Sequence, residues 1–353
     1  MEKKNAFSGI QGLRGIAIII IVLYHTYDLN SMGNTWTLSI IKKWGGFFGN
    51  YIFFMMSGFL MAYFYRERIE KREVTFFQYF IRRIVKIYPL YIITNIIVLL
   101  QNIIDGGIET LNITELLLVL FMQAGGALED FYPYNIVTWF ICILMICYCV
   151  YYVITYILPN DTVYFIGIVC GMIWGYILIN RNWNFPYSYN HTGEGMINFC
   201  LGCLLAWIYL KLNSKNRKMC LIFNWCMLIM LAILELYVGF DLIAGDIRIV
   251  IIYLVAPTML YLSIESNLVK WIMNLMPIKI IGTISMSIYF WHTVLGRYLY
   301  KMFPMVENLQ PRIQYLCYWG MLLVWSGGSY WLIERKLGMF LEQKMYKEIM
   351  LRS

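Results

Sequence analysis

Two ionisable side chains share one apolar stretch near the N-terminus. Residues 13–25 read LRGIAIIIIVLYH, with Arg14 near one end and His25 at the other. A charge at the middle of a bilayer costs on the order of 2.5–3.5 kcal/mol, so ionisable residues are rare in such stretches. An α-helix turns about 20° past three full turns between these positions and rises about 16 Å, which places both side chains on one face. We therefore expect this helix to line an internal cavity.

His25 is the candidate catalytic residue of this stretch, because a histidine near its ordinary pKa is the usual proton acceptor in catalysis. Asp28 lies one turn further along and is a candidate for fixing the imidazole tautomer. A simpler interpretation is that Arg14 extends to lipid headgroups, that His25 only forms a hydrogen bond within the bundle, and that Asp28 is solvated.

A second polar stripe occurs in SMSIYFWH, where Ser285, Tyr289 and His292 follow helical i, i+4 and i+7 spacing. Such a stripe is expected to line a cavity rather than to contact lipid. His191, in the loop RNWNFPYSYNHTGEG, is either part of an aromatic sugar-binding surface or simply solvated. Ser57 is interpreted as a helix-packing residue, since no base is adjacent in sequence and Ser-Gly in a span typically marks close packing.

The composition is that of a polytopic membrane protein. Of 353 residues, 61% are hydrophobic and only 14% are charged, whereas a soluble domain is about one quarter charged. The net charge of +8 is better explained by loops that orient helices than by nucleic-acid binding. Cys200 and Cys203 form a C-x-x-C pair inside an apolar run without a second pair, so we expect packing residues and no metal site.

The apolar stretches predict an all-α transmembrane bundle of about ten spans with both termini cytoplasmic. An eleventh stretch, 111–124, is short and contains Glu115, so it is interpreted as interfacial or re-entrant. With this topology the cytoplasmic segments contain 21 of the 28 lysines and arginines, as the positive-inside rule requires. One membrane domain is expected over 1–340, with a short cytoplasmic tail over 341–353. The predicted spans are 9–28, 44–65, 84–104, 135–158, 162–180, 196–211, 219–240, 247–264, 280–300 and 313–333.

The motifs resemble, in order, those of the acyltransferase-3 family of integral membrane acyltransferases. That family carries an arginine, ten residues and a histidine in its first span, as Arg14 and His25 do. Later segments that resemble the family are GGFFGNYIFFMMSGFLMAY, YFIRRIVKIYPLY, TWFICILMICY, NFCLGCLLA, IGTISMSIYFWH and YWLIERK. The resemblance extends from Arg14 to Arg335.

Three departures from the family pattern stand out. The family's R-x-x-R pair is Arg83 and Lys86 here, and lysine lacks the bidentate fork that suits phosphates, although Arg82 is adjacent. Leu144 occupies a position where some members have glutamate. The extracellular esterase-like domain that many relatives append is not expected in this chain.

The resemblance implies transfer of an acyl group, by default acetyl from cytoplasmic acetyl-CoA, to a hydroxyl of a carbohydrate or glycolipid. Arg14, Arg82, Arg83 and Lys86 would hold the CoA phosphates, and His25 would act as general base or as transient acyl carrier. Glu334 and Arg335 are expected to pair at the inner surface. No permanently bound cofactor is expected.

The expected location is a bacterial plasma or inner membrane, among glycan-assembly proteins. Two other classes remain open. One is a secondary transporter or flippase for a sugar or polyprenyl-linked glycan, which would not need CoA. The other is a non-enzymatic membrane sensor, which would not need an arginine–histidine stripe.

Overall fold

The computed structural model describes residues 7–26, 36–126, 131–180, 186–212 and 251–350, and all regular structure in these ranges is helical. This confirms the predicted all-α class. The first half contains α1 Ser8–His25, α2 Trp36–Glu70, α3 Phe76–Gly106, α4 Ile113–Leu120, α5 Trp139–Ile157, α6 Asp161–Asn180 and α7 Asn190–Lys211. The second half contains α8 Ala256–Glu265, α9 Asn267–Met273, α10 Met276–Thr283, α11 Ser285–Met302, α12 Pro304–Glu307, α13 Pro311–Ser329 and α14 Gly338–Met350. π-Helical turns cover Ile251–Val255 and Tyr330–Leu337.

Six helices of the described ranges are long and apolar enough to cross a membrane, and α10 with α11 would make a seventh if counted together. The six lie in α1, α2, α3, α5, α6 and α7, with α5 extended back to Ile136. The predicted span 219–240 lies outside the described residues, and 247–264 lies only partly within them. α13, which covers most of 313–333, is not among the six. A total of ten spans therefore stays a prediction.

The prediction of one continuous helix over 280–300 is wrong. This stretch is divided into α10 and α11, which meet at an angle of 75° near Ile284. α10 is held along α1, because the Gln11 side chain donates to Thr283 Oγ1 at 2.6 Å. A side chain at Gly282 would collide with the Gln11 carbonyl, so the two backbones are in direct contact there.

α4 is too short to cross the membrane. Its eight residues rise about 12 Å, against about 30 Å of hydrocarbon. Asn112 caps its N-terminus by accepting from the Thr114 and Glu115 backbone N–H groups. Burial raises the pKa of Glu115. The helix fits the non-crossing assignment of residues 111–124.

Glycines bring α9 into backbone contact with α1, and α7 into backbone contact with α2. On α1, a Cβ at Gly12 would collide with the Met273 carbonyl of α9. Between α2 and α7, a Cβ at Gly58 would collide with the Phe199 carbonyl, and one at Gly202 with the Met55 carbonyl. Small residues allow membrane helices to approach in this way. The contact at Gly58 confirms that the Ser-Gly pair at 57–58 marks close helix packing.

Arg66 joins α2 to α6 and α7 at one end of the bundle. Its Nε donates to Glu70 at 2.7 Å and its Nη2 to Asp161 Oδ1 at 2.8 Å. Asp161 also accepts from Trp207 Nε1 at 2.6 Å and forms an ion pair with Lys211. This cluster explains Arg66 as a structural residue.

Candidate active site

His25 and His292 form a direct pair between α1 and α11. His292 Nε2 lies 3.3 Å from His25 Nδ1, and the ring centroids are 4.9 Å apart. His292 is completely buried, whereas the His25 side chain is exposed. The pair therefore has one imidazole enclosed by protein and one imidazole that a substrate can reach.

A buried polar network fixes the part of α11 that carries His292. Thr293 Oγ1 donates to Asn135 Oδ1 at 3.0 Å, and Asn135 Nδ2 donates to the Phe290 carbonyl at 2.9 Å. The Asn135 backbone N–H donates in turn to Asn95 Oδ1 on α3 at 2.9 Å. Tyr318 on α13 donates to the His292 carbonyl at 2.9 Å. Satisfied buried networks hold one geometry, so the position of His292 is set from three sides.

Nearer the other end of α1, Arg14 lines a cavity of about 200 Å³ together with Arg83 and Lys86. None of the described residues that line this cavity is acidic. The rest of the wall is mainly apolar and aromatic, with Ser57 and Ser285 as its hydroxyl groups besides those of two tyrosines. An excess of cationic groups over acidic groups in an enclosed space favours an anionic ligand.

Arg83 is enclosed by aromatic rings rather than by carboxylates. Its guanidinium carbon lies 4.5 Å from the Tyr65 ring centroid, 5.5 Å from that of Tyr79 and 5.9 Å from that of Tyr148. Nη2 lies 3.2 Å from Met61 Sδ, and Nε is buried without a hydrogen-bond partner in the structure. Cation–π contacts orient the guanidinium while leaving a donor available to an anion.

A second cavity, of about 530 Å³, shares Arg83 and Lys86 with the first. Arg82 and Arg68 line only this second cavity, together with residues of α14 that include Glu342. The predicted cluster of Arg14, Arg82, Arg83 and Lys86 is thus distributed along two adjoining spaces. Arg83 and Lys86 stand at the wall between them.

Glu334 faces these cations from the π-helical turn. Its carboxylate accepts a short hydrogen bond from Ser287 Oγ on α11 and interacts electrostatically with Lys86 and Arg14. The expected pairing of Glu334 with Arg335 is wrong, since no ion pair joins them within the described part of the chain. Lys86 and Arg14 attract the Glu334 carboxylate instead.

One aromatic layer separates the first cavity from the histidine pair. Tyr289 lines the cavity and its ring centroid lies 5.8 Å from that of His292. Phe140 and Phe53 pack on Tyr289 at 5.6 and 6.4 Å, and Tyr289 donates to the Val137 carbonyl at 2.5 Å. The cationic cavity is therefore separated from the His292 imidazole by the Tyr289 ring.

A family model described as an acyltransferase domain, Acyl_transf_3, matches residues 7–331. The chain belongs to the acyltransferase-3 family. No curated protein and no solved structure matches the chain. Membership of this family, together with the apolar helices, makes the protein a membrane acyltransferase.

In this acyltransferase the predicted site residues fall into two groups. Arg14, Arg83, Lys86, Ser285 and Tyr289 surround the first cavity. The stripe on α11 is thereby divided, because His292 contacts His25 instead of lining the cavity. Asp28, which was also predicted, lies outside the described residues.

The predicted loop position of His191 is wrong, since the residue lies in the first turn of α7. His191 stacks on Trp139 with centroids 4.4 Å apart, and its Nδ1 lies 3.4 Å from the buried Glu194 carboxylate. The aromatic enclosure of Arg83 was missed at the sequence level, although Tyr79 precedes Arg83 by one helical turn. The hydrogen-bond network at Asn135 was not predicted from the sequence.

Proposed function

We propose that this acyltransferase moves an acyl group, by default acetyl, from cytoplasmic acyl-CoA to a hydroxyl of a cell-surface carbohydrate in a bacterial plasma membrane. The observation that carries the proposal is a cavity lined by Arg14, Arg83 and Lys86, with no acidic residue among its described lining residues. Tyr289 of this cavity packs against His292, which in turn contacts His25. An anionic donor fits the first feature, and proton transfer from a hydroxyl fits the second.

The hydrogen bonding of the cavity's cations supports acyl-CoA as the donor. Arg83 retains a buried, unpartnered Nε–H in an aromatic enclosure, and a buried charged donor without a partner is costly. CoA carries a pyrophosphate and a 3′-phosphate, which accept charge-assisted hydrogen bonds from such groups. Arg82, in the adjoining cavity, extends the cationic surface toward a second phosphate.

The chemical step assigned to His25 is general-base catalysis. Its free ring nitrogen takes the proton of the acceptor hydroxyl while the hydroxyl oxygen attacks the thioester carbonyl carbon. The C–O bond forms, the C–S bond breaks, and the CoA thiolate receives the proton from His25. The alternative role is that of acyl carrier, in which the ring nitrogen itself attacks the thioester and then passes the acyl group to the hydroxyl.

The test compares Arg83→Ala with Lys71→Ala in purified, membrane-reconstituted protein. Lys71 is an exposed cation that pairs with Glu67 at 2.5 Å and lies outside both cavities. Arg83→Ala is expected to raise KM for acetyl-CoA by about 10- to 100-fold, since it removes a charge-assisted contact. Lys71→Ala is expected to leave KM unchanged.

The assay follows thiol released from radiolabelled acetyl-CoA and label recovered in the polysaccharide fraction of the producing cells. Equal KM values in the two variants would remove Arg83 from donor binding. If unacylated glycan crosses the membrane in the absence of CoA, the result would favour the transporter or flippase class instead.

A further inference from the structure

His292 is fully buried, yet both of its ring nitrogens meet polar atoms. Nδ1 lies 2.7 Å from the Tyr289 backbone oxygen, and Nε2 lies 3.3 Å from His25 Nδ1. A carbonyl oxygen can only accept, so His292 Nδ1 carries the hydrogen. A neutral imidazole has one N–H, and Nε2 of His292 therefore presents a lone pair to His25.

The same reasoning fixes the tautomer of His25. Its Nδ1 lies 3.0 Å from the Ile21 backbone oxygen and 3.3 Å from His292 Nε2. Both neighbours are acceptors, so His25 Nδ1 carries the hydrogen and its lone pair is on Nε2. The reverse tautomer would place a lone pair against two acceptors and leave His292 Nε2 without a donor.

Among the residues that the structure describes, no charged side chain bonds to either imidazole. Tyr24 packs on His25, Tyr289 packs on His292, and Tyr318 donates to the His292 carbonyl; tyrosines are neutral at neutral pH. No carboxylate of the described residues bonds to either ring. His292 is thus the side-chain partner that the structure gives to His25.

We infer that His292 is a positioning residue that holds His25 with Nε2 free to accept the proton of the acceptor hydroxyl. When His25 takes that proton, it carries N–H on both nitrogens, and His292 Nε2 accepts from its Nδ1–H. The orienting role that a carboxylate has in serine hydrolases is taken by a neutral imidazole. The inference rests on the proposed function, in which His25 is the base.

Two amide substitutions separate this role from packing. In His292→Gln, the side-chain oxygen can reach the place of Nε2 and accept from His25. In His292→Asn, the shorter amide reaches only the place of Nδ1, so the contact with Tyr289 is kept and the contact with His25 is lost. Trp291→Phe is the matched control, because it removes a buried hydrogen bond from the same helix, to Ser329 Oγ at 2.9 Å.

Acetyl-CoA turnover with the polysaccharide fraction of the producing cells is measured for each variant. His292→Asn is expected to lower kcat about 100-fold, near the lower limit for a positioned acid–base group, with KM for acetyl-CoA unchanged. His292→Gln is expected to stay within about 10-fold of the unsubstituted protein, and Trp291→Phe to retain its kcat.

Equal kcat values for the two amide variants, or a greater loss in His292→Gln, would overturn the inference. His25→Ala is measured in parallel. If it loses turnover while His292→Asn retains it, His25 remains the base and only the role of His292 fails. If His25→Ala retains turnover, the proposed role of His25 fails.

Discussion

At the scale of single residues, the site contains two kinds of functional group that are separated by aromatic rings. Arg14 and Arg83 present positive charge in one cavity, whereas His25 and His292 form a hydrogen-bonded pair of imidazoles. Tyr289 lies between them. Charge binding and proton transfer can therefore be disturbed one at a time by substitution.

His25→Ala is expected to lower kcat for acyl transfer by about 10²- to 10⁴-fold, the contribution typical of a positioned general base. The protein should still accumulate in the membrane, because the exposed His25 side chain fills little of the core. Turnover of acetyl-CoA and the amount of folded protein after size-exclusion chromatography are the two measurements. Transfer at the level of the unsubstituted protein would remove His25 from the mechanism.

At the scale of elements, glycine contacts determine how closely the helices that carry the site can approach. α2 and α7 are in backbone contact at Gly58 and Gly202. α13 offers a contrast, because Gly320 has no heavy atom close to the position of an added Cβ. The two environments give opposite expectations for the same change from glycine to alanine.

Gly202→Ala is expected to destabilise the protein by about 1–3 kcal/mol or more, as overpacking in a close-packed core does. Gly320→Ala should be neutral or slightly stabilising, because alanine is the better helix former by about 1 kcal/mol. Thermal unfolding of both variants in the same detergent measures the difference. Equal melting temperatures would contradict the backbone contact between α2 and α7.

The elements also show which features of the fold can be predicted from the sequence. The shared helical face of Arg14 and His25 and the all-α class follow from local periodicity. The contact between His25 and His292 joins residues 267 positions apart, and nothing local encodes it. The bend between α10 and α11 was missed for a related reason, since the backbone contact with α1 at Gly282 that accompanies it is tertiary.

At the scale of the whole molecule, the described residues place different charged groups at the two ends of the bundle. The end near Ser8 contains Glu334, the cation-lined cavities and the connection between α9 and α10, where Asn274 donates to Ser8 at 3.1 Å. The opposite end contains the ion pair of Lys301 with Asp105 at 2.6 Å. The positive-inside rule predicts that the first end faces the cytoplasm, which is where acyl-CoA would be supplied.

Single cysteines placed in a cysteine-free background test this orientation. Substitutions of Glu73 and Lys279, exposed at the cation-rich end, should react with an impermeant thiol reagent only from the cytoplasmic side. Substitutions of Glu109 and Glu307, exposed at the other end, should react only from outside. Labelling of Glu73→Cys from outside would invert the molecule and separate the cationic cavity from its proposed donor.

α1 is continuous from Ser8 to His25 and is held by backbone contacts at Gly12 and Gly15, so the interval between Arg14 and His25 cannot stretch. Under the proposed function this helix fixes the distance between the phosphate-binding Arg14 and the base His25. It selects a donor by the length of the arm between phosphate and acyl carbon rather than by the acyl group alone. Acetyl phosphate, in which the two are directly joined, is therefore expected to bind at the cations and fail to acylate.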